Sequence, residues 1–303
     1  MPTVLIGGGT GLVGSRMSQM LKEKGYEVRH LSRTRNLQAE FPAYYWDIKK
    51  MVIDEDALEG VDYVVNLAGA GIADKRWTDA RKKLIIESRT QTTDLLRKYM
   101  ENGRLKSKVF VSASAVGYYG NRGNDLMTEE NAPGDGFLSQ SVIFWEDAVK
   151  MIEDTGLRTV RLRTGIVLSQ QGGAMPELMK TFPVGVGAYF GSGKAYYSWV
   201  HIDDIARLHI YAMENENLHG AYNAVAPNPA QMKEMVMKMK KAYSRPVLVV
   251  PAPDFGIKLA FGELSHTVLD STRVSSQKIE EAGFEFEFPE LLPALEDIMA
   301  REV

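Results

Sequence analysis

Cysteine is missing from all 303 residues. Its absence excludes a disulfide framework, thiolate zinc sites, iron–sulfur clusters and a cysteine nucleophile together. An excess of charge of one sign is missing as well, since 36 Lys and Arg stand against 39 Asp and Glu, a formal charge of −3 with His neutral. That balance argues against a general nucleic-acid binder, which carries a basic surplus on some face. No run of about 18 uncharged apolar residues occurs, so no membrane span is expected. Met1-Pro2-Thr3-Val4-Leu5-Ile6 contains no basic stretch leading into a longer apolar one. No secretory signal is therefore expected, and the cytoplasm is the expected compartment. What remains is an ordinary globular mix, 45% hydrophobic and 25% charged. It suits one large domain or two unequal ones with a sizeable core.

Short β-rich apolar runs alternate with helical spacing through the first half. The runs are Thr3–Ile6, Glu27–Leu31, Tyr44–Trp46, Tyr63–Leu67, Lys108–Ser112 and Thr159–Arg163; the helical segments are Leu12–Lys24, Arg81–Tyr99 and Phe144–Asp154. Strand–helix alternation with buried-looking strands predicts an α/β fold, a doubly wound parallel sheet covered on both faces. Gly25 and Gly156 read as helix C-terminal glycines. Beyond about residue 166 the rhythm loosens through Gly172-Gly173, Pro183 and Gly185–Gly193. The expected division is a nucleotide-binding domain over 1–225, with a loop insertion at about 170–195 facing the substrate side, and a smaller C-terminal module over 226–303. A strand running into a helix is expected at Val200–Ile205, a further short strand at Leu218–Ala224 and a helix at Met232–Ala242. On that helix Met232, Met235 and Met239 share a face that suits core filling. Phe284, Phe286 and Phe288 alternate with Glu285 and Glu287, which predicts a strand with its aromatics inward. No internal repeat or low-complexity tract is evident.

Gly8-Gly9-Thr10-Gly11-Leu12-Val13-Gly14 follows the first strand and opens the first helix. Glycines at 8, 11 and 14 permit a tight turn in which backbone N–H groups approach a pyrophosphate at a helix N-terminus. An NAD-selective site places an acid at the end of the second strand; here Ser32-Arg33-Thr34-Arg35 stands there instead. Two guanidiniums and no carboxylate suit a 2′-phosphate, so NADP(H) is the expected cofactor. Asp47, after the third strand, is a candidate acceptor for the adenine amino group.

Asn66-Leu67-Ala68-Gly69 and Ser112-Ala113-Ser114-Ala115-Val116, with the glycine loop, make the chain resemble the extended short-chain dehydrogenase/reductase superfamily, epimerase/dehydratase branch. Further stretches narrow the resemblance: Gly71-Ile72-Ala73-Asp74-Lys75-Arg76-Trp77-Thr78, Ser88-Arg89, Gly120, Leu162–Leu168, Ser198–Asp204 and Glu281–Phe284. Together they are similar to an atypical subgroup of "epimerase family" proteins with an extra C-terminal module. The resemblance implies a Rossmann fold and cofactor contacts from Leu67, Ala68, Gly69, Ser112 and Gly165. It also implies a Ser, Tyr and Lys that move a proton while hydride passes to or from the nicotinamide, with Ser114 in the Ser place. The Tyr and Lys places of YxxxK hold Leu138 and Val142, neither of which can exchange a proton.

Candidates for the missing group are Tyr118 or Tyr119 close to Ser114, Lys75 or Arg76 acting electrostatically, and His201 as a proton relay. The plainer alternatives are a substrate-wall Tyr, a solvated basic loop and a structural His beside Trp199. Ser114 and Tyr118 are taken as catalytic candidates, and Tyr119, Lys75, Trp199 and His201 as substrate-side candidates. A metal at His201, Asp203, Asp204 and His209 is not expected, because Asp204 suits a helix cap that also fixes a loop. No GxSxG elbow occurs for a serine hydrolase, and no Lys-Ser/Thr follows the glycine loop as in a P-loop. The expected function is an NADP(H)-dependent oxidoreductase or epimerase acting on a small hydroxyl- or carbonyl-bearing molecule, sugar-nucleotide-like ones included. The alternative is a non-catalytic NADP(H)-binding sensor. A homodimer through helices beside the fourth and fifth strands is open to either.

Overall fold

The computed structural model describes residues 1–301. Its centre is an eight-stranded sheet in the order Gly220–Ala224, Thr159–Thr164, Phe110–Ala115, Tyr63–Asn66, Thr3–Gly7, Glu27–Ser32, Ala43–Asp47 and Val52–Ile53. Neighbours run parallel except the last pair. The apolar runs become central strands because both faces are covered. Helices Leu12–Glu23 and Ile202–Glu214 bury Val4, Ile6, Val111 and Leu162 on one side. Helices Asp79–Glu101 and Gly136–Glu153 bury Leu5, Val64 and Phe110 on the other. The chain moves outward from Thr3–Gly7 in one direction, then returns to Tyr63–Asn66 and continues in the other. That reversal opens a crevice at the carboxyl ends of these two strands, where such sheets receive ligands.

The smaller unit draws on two stretches of chain. Val186–Phe190 pairs with Leu248–Ala252, Tyr196–Tyr197 with Ala230–Gln231, and Trp199–His201 with Ile166–Leu168. Met232, Met235 and Met239 sit in one core with Met175, Phe182, Trp199 and Leu295, while Met237 remains 46% exposed. The loops after residue 166 therefore share their core with residues 230–298. No described helix is long and apolar enough to cross a membrane.

Three local expectations change. The helix placed at Phe144–Asp154 begins at Gly136, because Ser139 and Ser141 return their hydroxyls to backbone carbonyls and bury at the helix–sheet contact. Phe284–Phe288 forms no strand. Phe284 packs on Tyr211 and Phe286, Phe288 stacks on His201 at 3.9 Å, and the Glu287 and Phe288 N–H groups donate to the Asp204 carboxylate rather than to a neighbouring strand. Asp204 therefore fixes a loop as expected, but the cap of helix Ile202–Glu214 is His201, whose Nδ1 accepts from Asp203 N–H at 3.1 Å.

Candidate active site

Backbone geometry builds the phosphate loop. Gly8 has φ +80°, and a Cβ there would stand 2.9 Å from Ala68 N, so glycine alone lets the two strand-end loops touch. A Cβ on Gly14 would collide with the Gly8 carbonyl oxygen, so its bareness lets the helix start directly against the turn. Helix Leu12–Glu23 begins with no side-chain cap and no acid in its first turn. The first N–H groups and the positive end of the helix dipole, at Leu12 and Val13, consequently lie open to an anion. With Thr10 exposed beside them, these residues fit the diphosphate of a dinucleotide.

At the end of the second strand the two arginines part. Arg35 pairs with Asp54 at 3.1 Å and Asp56 at 3.2 Å, which ties down its own loop. That corrects the expectation of two phosphate-ready guanidiniums. Arg33 is exposed and makes no ion pair among the described residues. It stands between Ser32 and Thr34, which line a cavity of about 520 Å³ together with Thr10, Ser15 and Gln19. Asp47 is committed elsewhere: it accepts from Lys49 N, Lys50 N and the Tyr45 hydroxyl, and these bonds hold its carboxyl below the usual range. The adenine contact expected of it would have to compete with its own turn.

A row of polar residues crosses the sheet at the far side of the crevice. Ser114, Arg163 and Asn223 stand in register on adjacent strands. Glu146 descends on them from helix Gly136–Glu153, taking Ser114 Oγ at 2.6 Å and both Arg163 Nε and Nη2 at 2.8 and 2.9 Å. Arg163 Nη1 also donates to the Tyr119 hydroxyl, which donates in turn to Asn223. Glu146 and Arg163 are 3% and 4% exposed, so this is a paired, satisfied charge inside the protein. Burial pushes the Tyr119 hydroxyl up to about 12 despite the adjacent guanidinium. Tyr119 has no exposed surface, which removes it from the substrate wall. Tyr118 differs. Its ring lies 3.5 Å from the Arg163 guanidinium, and its hydroxyl has no partner among the described residues.

Ser112 is fully buried with its hydroxyl on the Ala113 carbonyl, and Leu67 N–H donates to Gly7 while Ala68 N–H donates to Asn66 Oδ1. Gly165 lets the Ser198 carbonyl and Val225 pass where a side chain would collide. In the YxxxK places, Leu138 and Val142 flank Gly117, and Leu138 joins Trp77, Ile85 and Leu264 in an apolar cluster. The C-terminal unit thus packs apolar surface beside the place where the tyrosine would stand.

Two substrate-side candidates lie in the core. Trp199 is 0% exposed, with its indole N–H on the Asn228 carbonyl. His201 is also 0% exposed, held by Asp203 N–H, Phe288 and Asp297 at 3.1 Å, and burial lowers its basicity. Neither can reach a ligand without unpacking, so the plainer structural reading of His201 is the one adopted. Lys75 remains exposed on the loop after Tyr63–Asn66. Asp203 is bound by Arg16 and Arg301, whose charges hold its carboxyl far below the usual range. Glu146, Arg163 and Asn223 escaped the sequence reading as a group. The available signal was a pair of arginines, Arg161 and Arg163, alternating with Val160 and Leu162 in a strand flanked on both sides by others.

The NAD dependent epimerase/dehydratase family matches residues 4–224, and a domain of unknown function, DUF1731, matches residues 252–298. The chain is 33% identical over 295 residues to the Bacillus subtilis epimerase family protein YfhF, covering 97% of this chain and 96% of that protein. Human epimerase family protein SDR39U1 (isoform 2), whose crystal structure was determined with NADPH, superposes with a TM-score of 0.88 at 32% identity, covering 98% of each chain. A UDP-N-acetylglucosamine 4-epimerase from Bacillus cereus, at 18% identity and TM-score 0.78, shares the fold over 98% of this chain and 95% of that one.

Proposed function

The chain belongs to the NAD dependent epimerase/dehydratase family, and on that premise we propose that it is an NADP(H)-dependent oxidoreductase or epimerase acting on a small hydroxyl- or carbonyl-bearing molecule. The observation that carries the cofactor half is Arg33, a cation unpaired among the described residues at the end of the second strand, where an NAD site would hold an acid. The NADPH in the SDR39U1 crystal supports the same reading. When bound, the nicotinamide supplies hydride transfer. The chain's own residues bind, orient and move the proton. N–H groups at the start of Leu12–Glu23 hold the diphosphate, and Arg33 with Ser32 and Thr34 holds the 2′-phosphate. Ser114 already gives its proton to Glu146, so toward a substrate it presents lone pairs and accepts from a hydroxyl. Tyr118 is then the residue that exchanges the proton with the reacting oxygen, because its hydroxyl is uncommitted while that of Tyr119 is not.

Calorimetric titration tests the cofactor half. Arg33→Ser should weaken NADPH about ten- to a hundredfold and leave NADH nearly unchanged; an NADH preference in the wild-type protein refutes the assignment. Tyr118→Phe should abolish any turnover found while retaining NADPH.

A second reading has its own observation: the apolar cluster of Leu138, Trp77 and Leu264 where a proton-transfer residue would stand. It makes the protein an NADP(H)-binding sensor. Tight NADPH binding with no substrate-dependent oxidation across a carbonyl and sugar-nucleotide panel supports it, and oxidation by any member of the panel refutes it.

A further inference from the structure

Arg89 is a buried cation without an anion. Its side chain projects from helix Asp79–Glu101 into the contact with helix Gly136–Glu153 and is only 8% exposed. Nη1 donates to the Ile85 carbonyl at 2.9 Å, and no carboxylate pairs with it among the described residues. Its guanidinium carbon lies 5.0 Å from the Trp145 ring. The other wall is Gly69, where a Cβ would stand 3.0 Å from that same carbon. The nearest charges do little to compensate: Arg81 opposes it and Asp74 favours it. Desolvation first, then Arg81, draws its basicity down to about 10. Arg81 and Arg97 have an Nε sealed without a partner, whereas no nitrogen of Arg89 is sealed in that way. A guanidinium has five N–H donors in a planar fork and is costly to bury unpaired. Here donors remain against the backbone of a glycine in the cofactor crevice.

The place of that glycine identifies the ligand. Gly8 of the phosphate loop touches Ala68, and Gly69 follows it in the loop after Tyr63–Asn66, the strand that stands between Thr3–Gly7 and the Phe110–Ala115 strand that carries Ser114. A dinucleotide with its diphosphate on Leu12 and Val13 and its reactive ring near Ser114 must pass Gly69 with its second ribose. Trp145, against which Arg89 rests, lies three residues beyond Val142, so the two share a face of their helix. Val142 holds the Lys place of YxxxK.

We infer that Arg89 supplies from the neighbouring helix the cation that Val142 cannot, and that it binds the nicotinamide-side ribose and adjoining phosphate of the dinucleotide. Gly69 is bare so that the guanidinium can lie against the crevice wall. This inference rests on the NADP(H) reading above.

Two ligands separate the halves of the site: NADP+ carries the nicotinamide ribose, and 2′,5′-ADP carries only the adenosine side. In calorimetric titrations Arg89→Met should weaken NADP+ about ten- to a hundredfold and leave 2′,5′-ADP within about twofold. Arg89→Lys should recover part of the loss. The unliganded Arg89→Met protein should melt no lower than wild type, since it loses an uncompensated buried charge. Unchanged NADP+ affinity in Arg89→Met overturns the inference. Equal weakening of both ligands also overturns it, because that marks a structural role. Should Arg89→Met fail to fold, Arg89→Lys carries the same comparison, and failure of both assigns Arg89 to the fold. Wild-type protein that binds 2′,5′-ADP but not NADP+ overturns the inference alone, whereas wild type that binds neither refutes the cofactor reading itself.

Discussion

Glu146 and Arg163 form a buried pair in which each charge is tolerable only because of the other. Glu146→Gln leaves the guanidinium inside the sheet–helix contact with half of its partner. Stability should fall by about 3–5 kcal/mol, read from urea unfolding. Glu146→Leu combined with Arg163→Met should recover most of that loss, because the two charges leave together. A second residue-scale effect is pH-dependent. His209 is buried with Nδ1 on the Ile205 carbonyl and Nε2 sealed without a partner, and burial pushes it down to about 4. The folded state therefore binds this proton less readily than the unfolded chain. The histidine's contribution is whole above about pH 6.5 and is lost as pH falls toward 4. At about pH 5 the loss amounts to about 2 kcal/mol. Unfolding curves at about pH 7.5 and about pH 5 should show the gap between them narrowed by that amount in His209→Gln. The glycines and Arg33 were legible as single residues because their chemistry is local. The polar network that starts at Ser114 was not, since Glu146, which takes its hydroxyl, and Asn223, at the far end beyond Arg163 and Tyr119, lie 32 and 109 positions away from it.

At the scale of elements, caps and latches decide what the segments do. Thr78 caps helix Asp79–Glu101 by accepting from Arg81 N–H at 3.2 Å. Thr78→Ala should cost about 1 kcal/mol in thermal or urea unfolding. Asp203 joins three helices: its carboxylate takes Arg16 from Leu12–Glu23 and Arg301 just past Leu291–Ala300, and it sits in the first turn of Ile202–Glu214. Asp203→Asn should cost about 1.5–3 kcal/mol, and hydrogen exchange should quicken in the first and last of those helices. Periodicity located the helices well where one face is apolar throughout, as at Met232–Ala242. It misplaced the start of Gly136–Glu153, where small hydroxyl residues bury by bonding back to the backbone. It also misread Phe284–Phe288, because alternating burial arises equally when an extended segment lies across a helix end.

For the whole molecule, a ligand that binds only the folded state stabilises it by mass action. NADPH at about a hundredfold over its Kd should add about 2.7 kcal/mol, a rise of a few degrees in the melting temperature. At the same concentration Arg33→Ser should lose about half of that shift if its affinity falls about tenfold, and most of it if the fall is about a hundredfold. The smaller unit will share in it to the extent that unfolding is cooperative, since its core includes Met175 and Trp199 from the loops after residue 166 as well as Leu295 near the end of the chain.

By itself the sequence determined the sheet, the phosphate loop and a nicotinamide dinucleotide as the class of cofactor. Each follows from short-range rules: strand period and glycine spacing. It also showed that Leu138 and Val142 cannot exchange a proton. Only the tertiary structure decided which polar groups are available. It commits Tyr119, His201, Arg35 and Asp47 to partners, leaves Tyr118 and Arg33 uncommitted, and brings Arg89 to Gly69. The physical reason is that a polar side chain's role depends on what satisfies it, and the satisfying partner is set by packing between elements far apart in the chain.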